Sequence, residues 1–402
     1  MNIKNNVEIV RLDDEGRGIG YIDNKIIFIP NSLPDEIVDV NIIKETSKYY
    51  LGEVENFIKK SNKRIKPSCP YYNLCGGCNL LHMSYDDSIC YKKDKFKNIL
   101  KKFSNIETNI EVLENKDIFN YRNKIELKVE NKEWGYFNSY THNFVKIDKC
   151  LLAKSSINEV IKYKDLIEII NGSIVIRSNY NDEILIVIKS DDRVNIDIDN
   201  LRKRIKLVGV VLNDNVIYGE KYFIEKYKDK LFKVNYNSFF QINSFITDKM
   251  LNIIRDNSYG NTLLDLYCGV GFLGQVVSDK YKKIYGIEIN YDSVLDAISN
   301  ANMNNIDNAY YLCGDSSKCI FKIKDSIDTL LIDPPRSGLV KNMISDVLNV
   351  QAKRIIYVSC NPISLSRDLN SLKEYYEVEK VYLLDMFSNT YHFESVSILK
   401  KK

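Results

Sequence analysis

The chain has 402 residues, 45% of them hydrophobic and 28% charged, the balance of a soluble globular protein long enough for two or three cored domains. No stretch approaches the apolar length of a membrane span, and Met1-Asn2-Ile3-Lys4-Asn5-Asn6 has no signal-peptide core, so a cytoplasmic protein with no membrane partner is expected. A net charge of only +3 gives no whole-molecule case for a polyanion partner, and nine cysteines in such a chain do not read as a disulfide framework.

In chain order, residues 1–58 read as short strands parted by turns: Val7–Val10, Gly18–Ile22, Lys25–Ile29 and Ile37–Ile43. Short, evenly spaced strands suggest a small OB-fold barrel, a shape that often takes single-stranded nucleic acid. A purely structural barrel has the same pattern. Residues 59–232 are expected to form a central α+β domain. It opens with a Cys-rich segment and a Lys-rich helix over about 84–103, followed by strands around Tyr121–Val129, Ser173–Ile176 and Glu183–Ile188 and a helix over Ile157–Ile170. From Lys59 to Ser104 there are eleven basic residues (59, 60, 63, 64, 66, 92, 93, 95, 97, 101, 102) against three acidic ones (86, 87, 94). That excess suits phosphate contact, although a solvated helix face reads the same way. From residue 233 to 402 strands alternate with helical patterns, which predicts βαβ units and a mainly parallel, Rossmann-like sheet.

Cys69, Cys75 and Cys78 are spaced Cys-x5-Cys-x2-Cys, with Gly76 and Gly77 between the last two. Cys150 is a candidate fourth ligand, with Cys90 as the alternative. One close triplet and a remote fourth cysteine suit a [4Fe-4S] cluster better than zinc, which usually takes two Cys-x2-Cys knuckles.

Thr262–Leu266 reads as a strand that runs into Tyr267-Cys268-Gly269-Val270-Gly271-Phe272-Leu273-Gly274, a glycine turn opening a helix. The next strand, Lys283–Glu288, ends in an acid about twenty residues on, where Glu288 can accept bonds from ribose hydroxyls. Asp265, leading the glycines, favours S-adenosylmethionine (SAM) over NAD, because the methionyl ammonium needs a carboxylate. Asp315 ends the following strand and could reach the adenine side or simply cap a helix.

Three apolar runs of the C-terminal third begin or end at chemistry-bearing residues. One stops at Asp333-Pro334-Pro335-Arg336, one at Cys360-Asn361-Pro362, and one starts at His392-Phe393-Glu394. A lone cysteine is usually inert filling, but a thiol and two carboxylates at one sheet edge supply a nucleophile and acid/base groups together. Asp333 could instead only cap its turn, Arg336 could be a surface cation, and His392 reads as a packed histidine.

Taken together, these residues resemble the RNA (uracil-5-)-methyltransferase family, in its iron–sulfur, TRAM-containing branch of bacterial 23S ribosomal RNA enzymes. Gly16–Gly20 and Phe28–Pro34 match a TRAM barrel, Tyr121–Lys124 a central-domain signature and Ser238–Asn243 a SAM-contacting segment. The resemblance implies SAM contacts at Gln241, Tyr267, Glu288 and Asp333, and cluster ligands at Cys69, Cys75, Cys78 and Cys150. It also implies Cys360 as the nucleophile adding to uracil C6 and Glu394 as the base taking the C5 proton. RNA is then the partner, and a monomer the expected state. Two departures are Ser388 and Asn389, where Pro and Gln are common in the family. A transfer-RNA enzyme of the same chemistry, a cytosine-5 methyltransferase and a non-catalytic iron–sulfur RNA-binding protein are the competing expectations.

Overall fold

The computed structural model describes residues 3–402, which divide into two compact units. The first runs to Lys95 and takes in Tyr136–Ile147 and Phe387–Phe393; the second comprises Phe96–Gly135, Asp148–Met386 and Glu394–Lys402.

The first unit is built on a six-stranded sheet ordered Ile3–Glu8, Ile37–Glu45, Tyr49–Lys59, Lys25–Ile29, Gly18–Ile22 and Arg11–Leu12. Alternating apolar residues close its core around Val7, Ile9, Ile22, Ile27, Ile29, Val38 and Val40. Its longest strand, Tyr49–Lys59, mixes burial irregularly and carries no clean period-two signal in the sequence. Gly18 is required by packing, since a Cβ there would stand 2.0 Å from Ser32 Oγ. The Cys-rich segment is loop and turn. Arg64 anchors it to the barrel through the buried Glu36 carboxylate (Nε–Oε1 2.5 Å).

The Lys-rich helix is Tyr85–Ser104. Its basic residues are not one solvated or phosphate-facing set. Lys92 is fully buried and Lys95 largely so, each bonded to a backbone carbonyl, whereas Lys97 and Lys101 are exposed. A charged amine removed from water must be paired inside the protein, so those two lysines are spent on structure.

In the second unit, strands Lys124–Glu130, Gly172–Ser178, Glu183–Lys189, Lys206–Leu212 and Asn215–Gly219 lie side by side in that order. The helix expected over Ile157–Ile170 covers only Ser155–Lys162. Tyr163 leaves the helical region at φ −101°, one tight turn follows, and Ile167–Glu168 pairs with Asn195–Ile196 as a short ladder. Ile167 and Ile169 are buried while Ile170 is 40% exposed, so the run alternates by two and a helical face is not continued.

The other sheet of this unit carries the expected α/β fold. Its order is Ala309–Cys313, Lys283–Glu288, Thr262–Leu266, Thr329–Ile332, Arg354–Ser359, Glu394–Lys401, Tyr376–Leu384 and Ile110–Leu113. The first five strands are parallel, and Glu394–Lys401 runs antiparallel to both of its neighbours. Leu263, Leu264, Leu330, Leu331, Ile355 and Ile356 are buried to within 1%, as strands covered on both faces require. The order reverses between Thr262–Leu266 and Thr329–Ile332, and open α/β sheets bind ligands at such switch points. Because Glu394–Lys401 is antiparallel, its first residue lies at the edge where its parallel neighbours end. Among the described residues, no helix is long and apolar enough to cross a membrane.

Candidate active site

The carboxyl edge of the parallel strands gathers Tyr267, Glu288, Asp315, Asp333 and Cys360, and the antiparallel strand adds Glu394. Register fixes three of them as neighbours. Ile332, just before Asp333, pairs with Tyr357; Ser359, just before Cys360, pairs with Ser395, just after Glu394.

Cys360 is half-buried at the end of its strand. Asn361 then caps helix Pro362–Leu372, its Oδ1 accepting from the Ile363 N–H (3.1 Å), with Pro362 at the first helical position. A helix amino end just after the thiol favours a thiolate. Asn361 Nδ2 also donates to the Arg336 carbonyl (3.0 Å), which ties the thiol's turn to the loop after Asp333. That loop is held from beneath by the buried Asp368, whose Oδ2 accepts from the Leu339 N–H (2.8 Å) and the Tyr357 hydroxyl (2.6 Å). Gly338 is needed there: it has φ +75°, and a Cβ would stand 2.6 Å from Asp368 Oδ2.

The electrostatics couple these groups. Burial pushes the Asp333 carboxyl up to about 7. Burial, and then Asp333, raise Glu394 well above the usual carboxylate range. Neighbouring buried carboxyls disfavour each other's ionised form. Burial also pushes the Cys360 thiol up to about 11, with Glu394 and Asp333 adding to the rise and Arg336 opposing it. The edge therefore holds protons that a cationic ligand or a reaction step can release.

Beside this edge, the glycine turn makes an open cradle. Gly269 has φ +54° and nothing within 4 Å of where a Cβ would stand; Gly271, at φ +76°, opens helix Phe272–Val276. Glu288 is clamped by backbone, Oε2 accepting from Gly269 N–H (3.1 Å) and Oε1 from Asn290 N–H (2.8 Å). Tyr267 sits at φ +62°, a strained setting for a bulky residue and of the kind found at ligand sites. Asp265 lies beneath the turn, its Oδ2 accepting from Gly274 N–H (3.1 Å) and its buried Oδ1 without a partner; burial pushes it up to about 8. Open space, a fixed acid and the 69%-exposed Ile289 fit a nucleoside with ribose hydroxyls and an apolar base face. Asp315 is exposed and caps helix Ser316–Cys319, with Oδ1 accepting from the Ser317 N–H (2.8 Å) and hydroxyl (2.7 Å).

Gln241 is buried, in a segment positioned by residues far away in sequence. Asn123 Nδ2 donates to the Gln241 carbonyl (2.9 Å), giving the Tyr121–Lys124 signature a physical role. Arg177, 2% exposed, donates through Nη1 to the carbonyls of Asn235, Tyr236 and Ser238. Sequence reading missed Arg177 and Asp368, and the one available signal was a charged residue inside an apolar strand or helix face.

The cysteine triplet lies in the first unit and Cys150 in the second; all four are half-buried, and Cys90 is exposed. Cys75 Sγ accepts from the Gly77 N–H (3.4 Å). Gly76 is pressed on Ser139, where a Cβ would stand 2.1 Å from Oγ. Thiols are the right donors for a cluster, but no three His, Cys, Asp or Glu side chains among the described residues converge as a metal-holding group.

Comparison with known proteins places the chain. The family model described as tRNA (uracil-5-)-methyltransferase matches residues 84–313 and 318–402, and the TRAM-domain model matches residues 5–54. An uncharacterised RNA methyltransferase of Clostridium tetani is 31% identical over 439 aligned residues, spanning 98% of this chain and 95% of its own length. One from Staphylococcus aureus is 32% identical over 441, spanning 98% and 97%. Among solved structures, the Pyrococcus abyssi tRNA (uracil-54, C5)-methyltransferase, in complex with S-adenosyl-L-homocysteine, superposes with a TM-score of 0.80 at 24% identity, over 98% of this chain and 100% of its own. The chain belongs to the tRNA (uracil-5-)-methyltransferase family, and with it to the RNA methyltransferases.

Proposed function

We propose that this enzyme methylates C5 of a uridine in ribosomal RNA through a covalent bond between Cys360 and uracil C6. The observation that carries this reading is the adjacency of Asp333, Cys360 and Glu394 at one strand edge beside the open glycine turn. Uracil C5 is a poor nucleophile, and a thiolate added at C6 turns it into an enolate carbon. SAM supplies the electrophilic methyl group. Glu394 then accepts the C5 proton, and elimination returns the Cys360 thiolate and releases 5-methyluridine. Gln241, Tyr267, Gly269, Glu288 and Asp333 hold SAM in this reading, Asp315 lies at its adenine side, and Arg336 steadies negative charge near the thiol. The target base must leave its stack to reach a half-buried thiol, so loops and single strands are the substrates.

The ribosomal assignment rests on the barrel and the cysteine triplet, the features of the branch the chain resembles. The matched family's own description favours transfer RNA as a second reading. Incubating the protein with methyl-labelled SAM and either purified 23S ribosomal RNA or transfer RNA separates the two. Label is expected as 5-methyluridine in 23S RNA; label in transfer RNA alone overturns the ribosomal reading, and label in neither overturns the activity.

A [4Fe-4S] cluster on Cys69, Cys75, Cys78 and Cys150 is proposed from their spacing and the family likeness, and no reaction step passes through it. Iron and acid-labile sulfide analysis of anaerobically purified protein is expected to give a cluster's complement, lost in Cys75→Ser. Metal-free protein of full activity removes the proposal.

A further inference from the structure

The segment that leads into Glu394 is pinned at three carbonyls. Lys92 and Lys95, one turn apart on helix Tyr85–Ser104, point the same way. Lys92 Nζ donates to the Phe387 carbonyl (3.1 Å) and Lys95 Nζ to the Tyr391 carbonyl (3.1 Å). Lys95 also stands 5.0 Å from the Tyr391 ring centroid, within cation–π range. Between those points, the N–H groups of Asn79 and Leu80, directly after Cys78, both donate to the Asn389 carbonyl (3.1 and 3.2 Å). Asn389 has φ +65°, a left-handed setting that asparagine tolerates. Phe393 is then one peptide bond from Glu394.

Burying two ammonium groups is costly, and most helix lysines stay in water. Burial pushes the Lys95 amine down to about 8, with Asp14 opposing and the Lys92 charge adding to the fall. The Phe387 carbonyl also accepts from the segment's own Thr390, through its hydroxyl (2.8 Å) and N–H (3.2 Å), so Lys92 ties an already closed turn to the helix.

We propose that Lys92 and Lys95 are positioning residues for Glu394, acting through residues 387–393. This rests on the reading of Glu394 as the base that takes the C5 proton. Neither lysine has a part in adding Cys360 to C6 or in transferring the methyl group. Losing one displaces the base and slows only the last stage, in which the C5–H bond breaks, the proton goes to Glu394, and the electron pair expels the Cys360 thiolate from C6. The covalent RNA–protein species should therefore build up, which a general loss of stability would not produce.

The test uses the full chain with Lys92→Met, Lys95→Met, Lys95→Arg and, as a control, the exposed Asn98→Ala. Both Met variants should lose on the order of 10- to 100-fold in kcat, with the apparent RNA KM falling alongside as the covalent species accumulates, so that kcat/KM stays within about 2-fold. They should also accumulate an RNA adduct that survives denaturing electrophoresis. Lys95→Arg should restore turnover, and Asn98→Ala should match the parent. Melting curves guard against misfolding, and if the fully buried Lys92 variant unfolds, Lys95→Met carries the test alone. Loss of kcat without adduct, a change confined to KM, or no change at all overturns the proposal. An adduct with Glu394→Gln but none with folded Lys variants sinks this inference alone, whereas none with Glu394→Gln sinks the reading beneath it.

Discussion

Glu394→Gln is expected to stop turnover after one methyl transfer, leaving RNA bound covalently to Cys360. The amide keeps the size of the side chain at the first residue of its strand, so the pairing of Glu394 with Leu384 and of Ser395 with Ser359 should survive. It cannot accept the C5 proton at useful rates, and loss of a positioned general base costs on the order of 10²- to 10⁴-fold. The earlier steps should not suffer, because Glu394 is one of the groups that raise the Cys360 thiol, and removing it eases formation of the thiolate. Intact-protein mass spectrometry should show the mass of enzyme, RNA fragment and one methyl group. Free enzyme with undiminished turnover would show that the base lies elsewhere. The pH profile adds an independent mark. Burial raises both Asp333 and Glu394, so protons occupy this edge at acid pH, and kcat of the parent should climb as pH rises. The base must be ionised to work, so the sign is fixed: activity falls toward acid. A parent profile flat from pH 6 to 9 would contradict the assignment.

What the sequence discloses about this site and what it conceals have separate physical causes. Strand ends are legible because an apolar run must stop where the chain turns, and Pro334, Gly269 and Pro362 mark those stops beside Asp333, Tyr267 and Cys360. The cofactor turn is legible because backbone at positive φ and open space demand glycine. The end of the helix at Lys162 was hidden because Ile167, Ile169 and Ile170 satisfy a helical period loosely while their burial alternates by two. Arg177 and Asp368 were hidden because their partners are carbonyls and N–H groups that spacing along the chain does not reveal. Lys92 and Lys95 were misleading: a lysine turned inward has the same letter as one turned toward phosphate. Of the two departures, Ser388 is fully buried and Asn389 suits its left-handed backbone.

Cys360→Ala should lower methyl transfer on the order of 10⁴-fold or more, the scale on which removal of a covalent nucleophile acts when the remaining groups depend on it. The fold should be untouched, because Cys360 is half-buried and the turn is held by neighbours: Asn361 bonds Ile363 and Arg336, and Ser395 Oγ donates to the Ser359 carbonyl (2.9 Å). SAM binding should also stay within a few-fold, since the glycine cradle and Glu288 lie on other strands. That separation is the force of the experiment. A variant that folds, binds SAM and RNA, and neither methylates nor forms an adduct isolates the missing step as thiol addition. Cys360→Ser should behave almost as badly: a hydroxyl has a far higher pKa than a thiol, and the burial that, with Glu394 and Asp333, pushes the thiol to about 11 opposes an alkoxide as well. If the serine variant turned over within 10-fold of the parent, the group at this strand end would be acting as a hydrogen-bond donor rather than a nucleophile. The methyl group would then have to reach C5 without a covalent bond at C6.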